Sequence, residues 1–177
     1  GSVSSLNALE IDSNFVDAET LNANGIGFDI NGKDGDIGVE KLNLSDVDSD
    51  AVDASKVDAS GFNMNFDESG STYALDKGSL SNVTAGNATV ESANLNSAYA
   101  NFTNNNFDAN LGSAHASGIS ANGTNIGSAS GSGFNASGTL SGPFSGDVNA
   151  DALRAENINA KGVNIGSIEA GNIRAES

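Results

Sequence analysis

Cysteine and tryptophan are absent from this 177-residue chain, proline and histidine occur once each, and lysine plus arginine number seven. Without cysteine there is no disulfide framework, no thiolate metal site and no cysteine nucleophile. One histidine, His115, leaves little for imidazole-based metal binding or proton transfer. The seven basic residues stand against 23 acidic ones, for a formal charge of −16. That balance excludes binding to nucleic acid or to an anionic membrane through a basic surface. No apolar run approaches a membrane span, and nothing reads as a signal peptide. Small residues fill the chain instead: 22 Gly, 25 Asn, 25 Ser and 24 Ala. Such composition belongs to disordered chains or to repeats, and the pattern of apolar residues decides between them.

That pattern has a period of five. Val148, Leu153, Ile158, Val163, Ile168 and Ile173 follow one another at this spacing. Two positions after each stands a small or apolar partner: Ala150, Ala155, Ala160, Ile165, Ala170 and Ala175. Leu6, Ile11, Val16, Leu21 and Ile26 repeat the arrangement near the start, and Ile37, Leu42, Val47, Val52, Val57 and Phe62 form a third run. The residue inside each pair is often Asn or Asp, as at Asn22, Asn43, Asp58 and Asn159. The motif is therefore an aliphatic residue or Phe, then Asp or Asn, then a small residue, then two variable positions.

Five matches neither the helical period of 3.6 nor an unbroken strand period of 2. Positions 1 and 3 of the unit share a side, as on a short strand, and the two variable residues must bend the chain before the next pair. Asn, Asp, Gly and Ser suit such bends. The period predicts a solenoid with a narrow apolar column. The phase slips near 29–36, 65–72, 102–109 and 144–148, which read as loops. Residues 127–133, GSASGSG, are the weakest stretch of the repeat.

With Ala93-Asn94-Leu95 and Ala100-Asn101-Phe102 in its pattern, the chain resembles the pentapeptide-repeat family. The resemblance implies a right-handed four-sided β-helix of about nine coils, with strands stacked near 4.8 Å. One departure is plain: in the terminal runs the large residue comes first and the small one second. The opposite phase would turn Asp151, Glu156 and Lys161 inward, at prohibitive cost. Strings such as ENINAKGVNIGSIEAGNIRA also resemble repetitive segments of phage tail and bacterial adhesin proteins, which often assemble as multi-chain stalks.

Few residues suggest chemistry. Asp29, Asn31, Asp34 and Asp36 are oxygen donors around glycines in DINGKDGDIG, a composition that suits Ca²⁺, although the spacing is one residue off the usual loop and the bidentate Glu is missing. No cofactor is otherwise required. Asp46, Asp48, Asp50, Asp53 and Asp58 form an acidic stretch, and the negative charge is concentrated in the N-terminal half. His115 lies between Ala114 and Ala116 and points away from the apolar column. Catalytic carboxylate pairs, phosphate loops and zinc spacings are absent, so no enzyme is expected.

Gly1-Ser2 reads as an expression remnant and 3–177 as a single repeat domain. The expected function is a non-enzymatic structural or adhesive module of a larger secreted or surface-exposed bacterial or phage protein. Its partners would be neighbouring domains of the same chain, or other copies in an end-to-end or multi-chain assembly, with no direct nucleic-acid binding and no membrane insertion. The alternative is a cytoplasmic, acidic DNA mimic that binds a topoisomerase, as several members of the resembled family do.

Overall fold

The computed structural model describes residues 1–13, 16–103, 105–139 and 145–176. They form one antiparallel sheet of ten strands in chain order, without helices. The strands are β1 (Ser2–Ile11), β2 (Asp17–Asn31), β3 (Asp34–Asp48), β4 (Asp53–Asp67), β5 (Gly70–Ala85), β6 (Ala88–Thr103), β7 (Asn106–Ala121), β8 (Thr124–Thr139), β9 (Ser145–Ala160) and β10 (Val163–Glu176). Each strand touches only its neighbours in sequence, so the sheet is a single layer that does not close.

The all-β, repetitive character matches the expectation, but the path of the chain differs from the coil that the resemblance implies. A coil keeps one rotational sense and lays each turn parallel to the last. Here the chain reverses after every strand and the ladders are antiparallel. Neither a right-handed sense nor four sides is seen.

The expected loops contract into tight hairpin ends. Gly32-Lys33 joins β2 to β3, and Glu68-Ser69 joins β4 to β5. Residues 102–103 and 106–109 belong to strands, as do 145–148; positions 104 and 140–144 lie outside the described residues. The GSASGSG stretch is ordered strand within β8, because β7 and β9 supply ladder partners on both sides. Gly and Ser contribute little burial, but their backbone bonds as well as any other.

The pentad explains why these long strands are not plain. Each carries a single left-handed residue in its interior: Glu10, Gly25, Asp46, Gly61, Asn82, Ser97, Gly118, Gly133, Asn157 and Asn172, in strand order. At each the ladder misses one rung, or two at Gly61-Phe62 against β5 and at Gly133-Phe134 against β9, without losing register; Glu19–Asp46 and Gly25–Glu40 are the two gaps between β2 and β3. These gaps line up across the sheet in two rows. They occupy the variable pair of the pentad, so the three-residue step from Gly131 to Phe134, which a regular pleat would send to opposite faces, returns to the same face. The left-handed positions also expose a longer repeat: Glu10, Asp46, Asn82 and Gly118 recur every 36 residues, one hairpin apart.

The same variable pair can turn the chain fully around. Asn122-Gly123 and Lys161-Gly162 both carry two successive positive φ angles, the signature of a type I′ hairpin turn. These turns keep the five-residue phase, which is why the periodicity does not reveal them.

The expected column of inward side chains is in fact an open face. Among the described residues the buried hydrophobic ones are Ala18, Ala23, Ala54 and Ala150, and Leu153, Val163 and Ile168 remain 38%, 60% and 51% exposed. A single layer has no second layer to cover them.

Candidate functional site

The apolar residues of successive pentads meet across the ladder, some as large–small pairs, Leu6 with Ala23, Ala8 with Leu21, Gly78 with Leu95 and Gly131 with Leu153, and others as large–large pairs, Leu21 with Leu44, Leu44 with Val57 and Val57 with Leu80. Such opposite pairs are the unit of sheet stabilisation. From β6 to β8 the pairing becomes small against small, at Ala93–Ala116 and Ala114–Gly131. There the face hollows into a groove of about 530 Å³, walled by Leu75, Leu80, Leu95, Leu111, Phe134 and Leu153. The Phe134 ring leans over Gly131, whose missing side chain makes room for it and for Leu153.

The residues between the pair members form polar ladders. Asn7, Asn22, Asn43, Asp58, Ser79, Asn94, His115, Ser130, Arg154 and Glu169 make one continuous row across all ten strands. Asp58 accepts from Asn43 Nδ2 and pairs with Lys56 Nζ at 2.7 Å. The Lys56 contact first, and the Asn43 bond next, hold its carboxyl below the usual range. Arg154 bridges to Glu169 at 2.9 Å. Parallel rows carry Thr20–Ser45 and Ser92–Ser117 hydroxyl contacts, each 2.7 Å.

The acidic stretch does not form one surface. Asp46 occupies a ladder gap beside Glu19, and their shared hydrogen bond, reinforced by like-charge repulsion, raises the Glu19 carboxyl. Asp48 meets Asp53 across the β3–β4 hairpin and is raised in the same way. Asp58 lies in the polar row, paired with Lys56. The stretch is thus split among three environments, with cations or amides beside only some of its members.

The four proposed Ca²⁺ ligands fall on two rungs of one hairpin. Asp29 stands opposite Asp36, and Asn31 opposite Asp34, on adjacent alternate rungs of the β2–β3 hairpin. Asn65 of β4 already donates its amide to Asp36. Among the described residues, no three His, Cys, Asp or Glu side chains gather so as to hold a metal ion. His115 is exposed and stands between Asn94 and Ser130, with no carboxylate on either facing rung.

The residues missed by sequence reasoning are the left-handed ones and two groove walls outside the five-residue pairs, Leu75 and Leu111. Their signal was available: glycines at 25, 61 and 133 sit next to apolar residues at fixed distances from the turns. No protein-family model matches the chain, and no curated protein and no solved structure is significantly similar to it.

Proposed function

We propose that the chain is a non-enzymatic structural and adhesive module of a larger secreted or surface-exposed protein. The observation that carries this reading is the single-layer sheet, apolar and grooved on one side and polar on the other. Among the described residues sixteen large hydrophobic side chains are exposed, and those on the apolar side include Leu80 and Leu153 of the groove wall. An exposed apolar groove of this kind marks an interaction face. Scarce Lys and Arg, absent Cys and abundant Asn, Ser and Gly support an extracellular setting. The test is adhesion of chain-coated beads to apolar and cell surfaces. Leu95→Asn combined with Leu153→Asn should reduce adhesion several-fold with an unchanged far-UV spectrum, whereas Asn125→Ser should not. Equal adhesion by all three proteins would count against the reading.

A specific Ca²⁺ ion is a second reading, favoured by the two rungs that put Asp29, Asn31, Asp34 and Asp36 side by side. Calorimetric titration with millimolar Ca²⁺ tests it, and absence of heat removes it. The topoisomerase-binding alternative is less favoured, because the acidic residues are interrupted by amides and hydroxyls along every row. Inhibition of gyrase supercoiling by the purified chain would reinstate it. A right-handed four-sided coil would use the same apolar pairs but place Leu6 beside Ile26. Cysteines introduced at 6 and 23, against a pair at 6 and 26, separate the two paths.

A further inference from the structure

The two outermost strands, β1 and β10, are complementary to one another. Each pairs on one side only, leaving a row of backbone donors and acceptors along its other side. Such an edge is a template for another strand. Ten strands is an even number, so β1 and β10 run in opposite directions. A second copy shifted along the sheet, without rotation, therefore sets its β1 antiparallel to the first copy's β10.

The rows of ladder gaps fix the register of that junction. Along each row, left-handed residues alternate strand by strand with ordinary ones. In one row the last two members are Asn157, left-handed, and Gly166, ordinary; in the other they are Asp151, ordinary, and Asn172, left-handed. In β1 the corresponding positions are Glu10, left-handed, and Ser4, ordinary. Placing Glu10 against Gly166 and Ser4 against Asn172 continues the alternation in both rows without a fault.

The side chains then fit. Ala8 falls opposite Ile168 and Leu6 opposite Ala170, which repeats the size pairing of Ala8 with Leu21 and of Leu153 with Ala170 inside the sheet. Asn7 faces Glu169, extending the polar row. From Ile165–Ile11 to Arg174–Ser2, no rung of the junction opposes like charges. The interior is less favourable, since Asp17 faces Asp48 and Asp29 faces Asp36.

We infer that copies of this chain join edge to edge, β10 of one to β1 of the next, into a continuous sheet. The contact is head-to-tail and does not close on itself, so it generates open filaments rather than a dimer. The sheet grows by about 48 Å per copy, ten strands at the usual spacing. The inference rests on the sheet's edges and not on what the apolar groove holds.

The cysteine-free chain gives a clean test. Ala8→Cys chains are mixed with Ile168→Cys chains under mild oxidation, beside a register-shifted control of Ala8→Cys with Ala175→Cys. The 8–168 pair should cross-link several-fold faster than the control, and electron microscopy of the unmodified chain should show filaments that lengthen with concentration. Ile168→Lys with Ala170→Lys should shorten them while the far-UV spectrum is kept. A strictly monomeric chain, equal cross-linking in both mixtures, or assembly that stops at a dimer would each overturn the inference. The dimer outcome would instead assign the apolar faces to one another, and the adhesion assay would still stand as the separate test of the proposed function.

Discussion

The Glu91 side chain lies in the space that a side chain on Gly118 would need. Gly118 has φ +59°, and a Cβ built on it would collide with Cγ and Cδ of Glu91 on the adjoining strand. The same relationship joins Gly25 to Glu40, Gly61 to Asp76 and Gly133 to Asp151. At these four gaps a left-handed glycine yields room to an acidic side chain reaching across from its neighbour, so backbone conformation and cross-strand packing are one feature there.

Gly118→Ala should therefore destabilise the chain by about 1–2 kcal/mol, the cost of a left-handed L-residue, with a smaller addition as Glu91 swings away. Ser97 occupies an equivalent left-handed position, φ 56°, without being glycine. Ser97→Gly relieves that conformation and loses about 0.5–1 kcal/mol to chain entropy, for a net gain of up to about 1 kcal/mol. Urea unfolding of both variants checks the pair; equal effects of one sign would refute the backbone argument.

The hairpin ends allow a matching prediction. Lys161, at φ 49°, occupies the first turn position that Asn122 fills in the β7–β8 hairpin. Asn tolerates this region better than Lys. Lys161→Asn should raise stability by a few tenths of a kcal/mol to about 1 kcal/mol, and Gly123→Ala should lower it by about 1 kcal/mol or more. Thermal melts of the two variants decide the point.

Acid should first stabilise this protein and then destabilise it. Glu19 and Asp48 have raised carboxyls, through hydrogen bonds and repulsion from Asp46 and Asp53. The folded chain therefore binds their protons at higher pH than the unfolded chain does, and stability rises as pH falls through their raised range. Asp58 and Asp67 are lowered, chiefly by Lys56 and by Ser69 respectively. Their contribution is present above the ordinary carboxylate range, near about 4, and is lost as pH falls through their lower folded range. A melting series should show a maximum between about pH 4 and 5, and Glu19→Gln should flatten its alkaline side. A monotonic fall from pH 7 downward would contradict the assignment.

The groove predicts binding of an apolar dye. An anilinonaphthalene sulfonate probe should brighten on the native chain. Gly131→Val, which pushes side-chain atoms into the space held by Phe134 and Leu153, should weaken that signal with little change in strand content. An unaffected signal would place the dye elsewhere.

The five-residue period by itself determined a great deal. It fixed the all-β class, the pairing of a large with a small residue, and the phase that keeps Asp151, Glu156 and Lys161 off the apolar side. It also placed Asn43, Asp58 and His115 away from the apolar column. These follow from local pleating and from the cost of burying charge, which need no knowledge of distant contacts. The path of the chain could not be read the same way. A variable pair such as Lys161-Gly162 reverses the chain, while one at the same phase, such as Ser132-Gly133, lets the strand run on through a ladder gap. The local residues are alike, and the difference lies in which strand stands alongside to accept the next rung. Only the tertiary structure decides between a hairpin and a continued strand, because cross-strand hydrogen bonds and the Leu–Ala, Gly–Glu contacts across them exist only once the neighbour is in place. The same choice decides whether the apolar column is enclosed by a coil or laid open, and here antiparallel pairing in one layer leaves Leu153, Val163 and Ile168 at the surface.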